Sequence, residues 1–456
     1  MENYMNTSQS DTIFVQMASY RDPQLIPTLI DMVDNATNPE NLVICVCWQH
    51  GPEETCFDLP NRLPMEPQKF HYQHEYDTHR VFSYKGATIK ILDIDYLKSQ
   101  GACWARNLIQ QFYNGEKYTM QLDSHHRFVP GWDKVCVEML ESLRYKSKKP
   151  LLTTYIPSFD PDNDPGARVQ VPWKMDFDRF IPEGAVFFLP SSVDDHATRT
   201  EPMRARYYSA HFAFADGSFA TEVQHDPQYF FHGEEISIGV RAFTHGYDLY
   251  HPHKLIAWHE YTRKNRTKIW DDHTTTIKNE GKVTLDWVER NNSCHKRNRA
   301  LFGMDGEAPL DFGKYGFGTE RTLREFEEYA GMDFKLRSVQ QSPIDRDEPV
   351  YPVVKKYTPE EWAASMSRSN DIRICVHKNE LQEIDDDYDF WFVGAHDEAG
   401  EIYRKDLTTD QIKEHLKNEW IDYRFIFLST RIPTTYTVWP HSRSKGWRTK
   451  ITKKVD

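Results

Sequence analysis

Long hydrophobic runs are missing from this 456-residue sequence. A bilayer-spanning helix needs about 20 consecutive apolar residues, and stretches such as Asn41–Trp48 fall far short of that. The start, Met1 to Asp11, is polar and lacks the apolar core of a secretory leader. The expectation is a cytoplasmic protein with no membrane partner. Cysteine is sparse: Cys45, Cys47, Cys56, Cys103, Cys136, Cys294 and Cys375 are odd in number, irregular in spacing and without a CxxC pair. That pattern excludes a disulfide scaffold and a zinc knuckle. Cys45 and Cys47 lie in a strand-like run and share one face, as buried thiols of a reducing compartment would. Positive charge is also in deficit. Lys and Arg number 56 against 69 Asp and Glu, a net charge of −13, so most of the surface repels a phosphate backbone. Only the end departs from this, with Arg443, Lys445, Arg448, Lys450, Lys453 and Lys454 close together. A solvated tail is the plainer reading of that cluster; a local contact for an anionic partner is the sharper one. Internal repeats and low-complexity tracts are absent.

What is present fits an α/β protein of two or three domains. Thr12–Ser19 reads as a buried strand, Gln24–Ala36 as a helix opened by Pro23, and Asn41–Trp48 as a second strand. Strand, helix, strand at this spacing is a βαβ unit of a parallel sheet. Ligands of such sheets sit beyond the carboxyl ends of the strands, where Tyr20, Arg21 and Asp22 follow the first one. Further on, Ala87–Ile94 reads as a strand, Gly101–Tyr113 as a helix, Tyr118–Leu122 as a short strand and Asp133–Tyr145 as a helix. The Pro-, Asp- and Gly-rich stretch Asp160–Asp178 reads as a surface loop, and the polar, basic Glu260–Asp272 as a mobile one. The expected organisation is a catalytic domain over 1–300, a linker over 301–356 and a smaller β-rich accessory domain over 357–456.

Chemistry centres on Asp123-Ser-His125, directly after Tyr118–Leu122. A carboxylate and an imidazole two residues apart at a strand end can face one ion, and oxygen with nitrogen suits Mn²⁺ and similar borderline ions. Alone, a DxH tripeptide arises often by chance. A third ligand should come from a later strand, and His259 follows the apolar Leu255–Trp258; His251, His253 and His273 compete with it. Gly233-Glu234-Glu235 opens a helix-like stretch, where the acids either bind sugar hydroxyls or cap the helix. Arg263, Lys264, Arg266 and Lys268 form either a solvated loop or a clamp on a diphosphate.

Six ordered motifs carry a resemblance. They are Ala18-Ser-Tyr-Arg-Asp-Pro23, Gly101-Ala-Cys-Trp-Ala-Arg-Asn107, Gln121-Leu-Asp-Ser-His125, Arg127-Phe-Val-Pro-Gly-Trp-Asp133, Gly217-Ser-Phe219 and Phe231-His-Gly-Glu-Glu-Ile236. Over roughly residues 12 to 275 the chain resembles the cytoplasmic polypeptide N-acetylglucosaminyltransferases that act on hydroxyproline. It is more distantly similar to the polypeptide N-acetylgalactosaminyltransferases, which also use a DxH and a late histidine. The resemblance implies a GT-A (Rossmann-like) domain, a UDP-sugar donor, Mn²⁺ or Mg²⁺, and retention of configuration at a hydroxyl acceptor on a polypeptide. It assigns the metal to Asp123, His125 and His259. Donor contacts fall to Ser19, Arg21, Asp22, Arg106, Asn107 and Asp123, and catalytic roles to Glu234, Glu235 and Arg263. The same chemistry on a hydroxymethylated DNA base, a glycan or a small molecule is one alternative. A non-enzymatic carbohydrate-binding protein on a degenerate transferase fold is another, against which the intact DxH and Gly-Glu-Glu speak.

Overall fold

The structure is a computed structural model that describes residues 11–57, 66–74, 77–264 and 266–455. The polar start, up to residue 10, lies outside the described residues. The chain divides into two compact units, one of 1–330 with 346–353, the other of 331–345 with 354–456.

In chain order the first unit runs β1 (Ile13–Tyr20), α1 (Leu25–Asp34), β2 (Leu42–His50), β3 (Glu66–His74), β4 (Asp77–Tyr84), β5 (Ala87–Asp95), α2 (Ala102–Gln110), β6 (Tyr118–Asp123), β7 (His126–Phe128) and α3 (Trp132–Glu141). It continues with β8 (Pro150–Thr153), β9 (Ser158–Phe159), β10 (Trp173–Phe180), β11 (Val186–Ser192), β12 (Met203–Arg204), β13 (Phe212–Asp216), α4 (Phe219–Glu222), α5 (Glu234–Thr244), β14 (Asp248–His251) and β15 (Ala257–Glu260). Helices α6 (Ile269–Asp272), α7 (Thr275–Asn279), α8 (Trp287–Phe302) and α9 (Leu323–Ala330) complete it. Ten strands make one sheet in the order β12-β14-β8-β13-β6-β1-β2-β5-β4-β3. Its centre is parallel: β1 pairs in parallel with β2 and β6, and β2 with β5.

Strands covered on both faces read as continuous apolar runs, and β1 is one. Ile13, Val15 and Met17 pack toward Leu29 and Met32 of α1 and Trp132 and Met139 of α3. Phe14 turns the other way, onto Cys45, Cys47 and the α2 residues Trp104, Leu108 and Ile109. Cys45 and Cys47 thus do share one face, and all seven cysteines are free thiols. Inside the sheet the buried amide of Gln16 donates to Thr119 Oγ1 at 2.7 Å, and the Thr119 hydroxyl donates on to the Phe14 carbonyl at 3.0 Å.

Two loop readings change. The stretch read as a loop over Asp160–Asp178 already contains the start of β10, which pairs with β11. The stretch read as mobile over Glu260–Asp272 begins inside β15 and ends in α6. Asp272 there accepts from the Tyr20 hydroxyl at 2.8 Å and from Arg21 Nη1 at 3.0 Å. Asp272 thus ties this polar stretch to Tyr20 at the end of β1 and to Arg21 beyond it, contacts that composition does not show.

The second unit contains β16 (Met332–Asp333), β17 (Ser338–Val339), α10 (Gln341–Ile344), α11 (Pro359–Ala364), β18 (Ser367–His377), β19 (Tyr388–Asp397), β20 (Gly400–Arg404), β21 (Leu407–Thr408), α12 (Thr409–His415), β22 (Trp420–Ser429), β23 (Thr435–Ser442), β24 (Gly446–Trp447) and β25 (Ile451–Lys454). Its sheets share one apolar core: Ile372, Ile374, Ile421 and Phe425 meet Trp391, Val393, Tyr436 and Val438. The α/β class with a β-rich C-terminal part is therefore what the chain adopts. The glycine- and proline-marked segment 301–356 holds α9, β16, β17 and α10. Among the described residues, no helix is long and apolar enough to cross a membrane.

Candidate metal and donor site

Asp123 is the last residue of β6, at the carboxyl end of the parallel sheet. The chain then turns through Ser124 and His125 into β7, which pairs antiparallel with β15 so that His126 faces His259. The Glu260 amide donates to the His125 carbonyl at 3.1 Å, and the His259 amide to the Pro157 carbonyl at 2.8 Å. This small sheet fixes His259 against the end of β6, 136 residues away in sequence. His125 Nε2 lies 3.6 Å and His259 Nε2 3.5 Å from Asp123 Oδ2. One ligand atom from each residue falls within 4.8 Å of the others.

The residues fit a divalent cation. Burial pushes the His259 imidazole well below its ordinary pKa, against the pull of Asp123, and His125 and His126 push the same way. A metal takes the neutral imidazole. Asp123 is held well below the carboxylate range: burial opposes this, but the His259 hydrogen bond and Arg106 prevail. Arg106, 4 % exposed, donates from Nη2 to Asp123 Oδ1 at 2.7 Å, leaving Oδ2 aimed at the two imidazoles. Behind His125, its Nδ1 lies 2.7 Å from Asp22 Oδ2, which also accepts from the Ser124 hydroxyl at 2.6 Å. Burial works against the Asp22 charge, yet His125 and Arg266 bring its pKa down to about 2. A carboxylate behind a ligating imidazole fixes its tautomer and orientation; here Nδ1–H faces Asp22, which leaves the lone pair on Nε2, where Arg266 Nη1 stands 2.7 Å away.

Around the triangle lies a cleft of about 860 Å³, lined by Ala18, Tyr20, Asp22 and Gln49 on the sheet side and by Arg263, Arg266 and Lys268 opposite. Gly101 and Ala102, at the start of α2, reach the same cleft. Gly101 has φ +117°, and a Cβ there would stand 2.6 Å from the Phe230 carbonyl, so this close approach admits only glycine.

A second lobe, of about 1090 Å³, shares Arg106, Asp123, His259 and Arg263 and runs on to Tyr155, His211, Glu235 and Tyr261. Glu234, 4 % exposed, is clamped: Arg106 Nη1 donates to its Oε1, and His225 Nε2 lies 2.9 Å from the same oxygen. Burial would raise its pKa, but Arg106 and His225 lower it. Glu235 has only neutral partners, the Tyr155 hydroxyl at 2.9 Å and the Ala210 amide at 3.0 Å. Burial outweighs both, and its pKa is pushed up to about 7.

The fold brings Asp22, Arg106, Asp123, His125, His259 and Arg263 to the cleft, and Glu234 and Glu235 to its second lobe. It does not bring Ser19 or Asn107 there. Ser19 lies between Ala18 and Tyr20, which line the cleft; the pleat turns it the other way, where it is 0 % exposed. Asn107 is one residue past Arg106 on α2 and points to the His225 carbonyl, at 2.8 Å. Arg21 faces a neighbouring recess and pairs with Glu54 and Asp272. Lys264 turns outward toward Asp160. The competing histidines stay away from the triangle, His251 on the Thr153 carbonyl and His273 on the Tyr96 carbonyl. Tyr155, His211 and Tyr261 were missed in sequence reading, where none of them stands in a recognisable pattern.

The α/β sheet thus carries an acid–histidine triangle that could hold a metal ion at its carboxyl edge, beside the cleft. The chain belongs to the family Glycosyltransferase (GlcNAc), whose profile matches residues 12–336. No curated protein matches it. Among solved structures, S. aureus TarS 1–349 is similar at 9 % identity, over 55 % of this chain and 60 % of that one, with a TM-score of 0.32. The same fragment in complex with UDP-GlcNAc matches at 9 %, over 64 % of this chain and 73 % of that one, with a TM-score of 0.32. GalNAc-T7 with UDP, GalNAc and Mn²⁺ matches at 15 %, over 71 % of this chain and 55 % of that one, with a TM-score of 0.39. The chain thus spans less than two thirds of TarS 1–349 in the first match and of GalNAc-T7.

Proposed function

We propose that this chain is a metal-dependent glycosyltransferase that moves a sugar from a UDP-sugar to a hydroxyl group, with retention of configuration. The observation that carries the reading is the Asp123–His125–His259 triangle, oriented by Arg106 and Asp22, at the edge of a cleft lined by Arg263, Arg266 and Lys268. Asp123, His125 and His259 would hold Mn²⁺ or Mg²⁺. When bound, the ion supplies Lewis-acid stabilisation of charge on a departing diphosphate. The cationic side chains opposite offer diphosphate oxygens the fork geometry that arginine provides. GlcNAc as the sugar rests on the family description. A polypeptide hydroxyl as acceptor rests on the motif resemblance.

Retention rests on the motif resemblance, and the two acids bear on the route to it. Glu234 is held by Arg106 and His225, which favours a fixed hydrogen-bonding role toward sugar hydroxyls over nucleophilic attack. Glu235, with a pKa near 7 and no cation against it, is a poor nucleophile and a competent hydrogen-bond donor. With neither free to form a covalent sugar adduct, the acceptor would attack from the face that the diphosphate leaves. A trapped adduct on Glu234 or Glu235 would overturn this. The test is a panel of UDP-sugars with Mn²⁺ and with chelator: release of UDP from one of them, lost in chelator and in Asp123→Ala while that variant stays folded, is the expected result. Full UDP release in Asp123→Ala would remove the metal-site assignment.

A further inference from the structure

The larger sheet of the C-terminal unit carries a strip of rings on its outer face. β19 sends Trp391, Val393 and Ala395 into the core, so Phe390, Phe392 and His396, at alternate positions, face outward. β23 likewise buries Tyr436 and Val438 and leaves Trp439 and His441 half-buried outside. Strand register sets Phe392 opposite Trp439, Phe390 opposite His441, and His441 opposite Trp447 of β24. The rings touch in sequence: Phe390–His441 centroids are 5.1 Å apart, His441–Trp447 4.9 Å and Trp439–Trp447 4.2 Å. Gly394 lies in the outward register between Phe392 and His396. A Cβ there would stand 2.7 Å from Phe392 Cζ and 3.1 Å from His396 Nε2, so glycine lets both rings lie against the sheet. Trp447 is 44 % exposed. A contiguous aromatic surface outside the core marks a contact site more often than chance exposure does.

The charge around the strip selects its partner. Arg448 pairs with Asp385 at 2.7 Å, Lys445 with the same carboxylate at 2.7 Å, Arg404 with Asp406 at 2.6 Å and His441 with Asp389 at 2.8 Å. From residue 354 to 456 the sequence holds 17 Lys and Arg against 18 Asp and Glu. A phosphodiester strand needs a surplus of cations to bind, and here the unit as a whole has none, while Lys445, Arg448 and Lys453 of the basic C-terminal cluster are paired with acids. Rings edged by balanced donors and acceptors suit a neutral, polyhydroxylated partner instead. A pyranose C–H face would meet the exposed Trp447, with its hydroxyls toward Asp389, His441 and the Arg404 and Lys450 side chains, which themselves rest over Phe392 and Trp439. We propose that this face binds a neutral glycan. The inference stands on the second unit alone and does not depend on the transferase reading.

The experiment uses the full chain, with chitohexaose, cellohexaose and mannohexaose as neutral probes and an oligodeoxythymidine strand as the anionic one. Saturation-transfer NMR and calorimetry should detect binding of at least one hexaose at millimolar concentration. Trp447→Ala and Phe390→Ala should each weaken it about tenfold, with thermal unfolding and metal-dependent UDP-sugar turnover as in the unaltered protein. Three results would overturn the inference: no hexaose binding, binding that Trp447→Ala leaves unchanged, or tighter binding of the oligonucleotide that these substitutions abolish. Loss of UDP-sugar turnover with hexaose binding intact would instead count against the transferase reading.

Discussion

Glu235 gives the sharpest test of the site's electrostatics. It is the second residue of α5, where the helix dipole favours an anion by about 0.3–1 kcal/mol. Burial wins nonetheless, raising its pKa from 4.5 to about 7. At 1.36 kcal/mol per unit, that shift corresponds to about 3 kcal/mol. Its sign is set by the protons bound in each state. Between pH 4.5 and 7 the folded protein keeps a proton that the unfolded chain has lost, so stability falls as pH rises. Below that window both states are protonated; above it both are ionised and the cost is constant. Glu235→Gln keeps an acceptor for the Ala210 amide, lets its side-chain nitrogen donate to the Tyr155 hydroxyl oxygen, and cannot ionise. Its stability relative to the unaltered protein should therefore grow by about 3 kcal/mol from pH 4.5 to 7.5. The buried thiols of Cys45, Cys103 and Cys136 report unfolding of the first unit alone. Their labelling in urea, resolved by peptide mass spectrometry, measures the effect without interference from the second unit. Parallel stability curves for the two proteins would refute the reasoning.

Three further perturbations probe the triangle. Arg106→Met leaves Asp123 and the buried Glu234 without their shared cation; breaking a buried pair costs about 3–5 kcal/mol, read by the same thiol labelling, and a loss under 1 kcal/mol would refute the clamp. Asp22→Ala should weaken Mn²⁺ binding about 10–100-fold, measured by the electron paramagnetic resonance of free Mn²⁺; unchanged affinity would show that Asp22 does not orient His125. Arg266 Nη1 stands 2.7 Å from His125 Nε2, the lone pair that an ion would need, so the two exclude each other. Arg266→Gln should tighten Mn²⁺ binding without nucleotide by about tenfold while weakening UDP; weaker binding of both would mean the arginine only supports the fold.

The central sheet was legible because its strands are covered on both faces. Ile13–Met17, Leu42–Trp48 and Tyr118–Leu122 are near-continuous buried runs, and no other described strand gives that signal at such length. Edge elements gave little. β8, β12 and β14 are only two to four residues long and take their identity from neighbours contributed by distant segments. α8 has Asp286 and Glu289 as a reciprocal cap, but its polar face hid the periodicity.

At the site, legibility followed the local geometry of each residue. Asp123 and His125 are two residues apart at a strand end, a relation that the sequence contains. His259 was reached through its apolar lead-in, yet what places it is the register of β15 on β7, which no local pattern encodes. The pleat decided against Ser19 for the same reason that it favoured its neighbours: alternate residues of β1 point to opposite sides, and the cleft is on one of them. On α2, one residue is a turn of about 100°, enough to take Asn107 from the cleft that Arg106 lines. His211 lay beyond reach altogether. Its Nε2 accepts from the Ile156 amide at 3.0 Å and its ring stacks on His259 at 4.3 Å, so both of its defining contacts come from segments about 50 residues away in each direction.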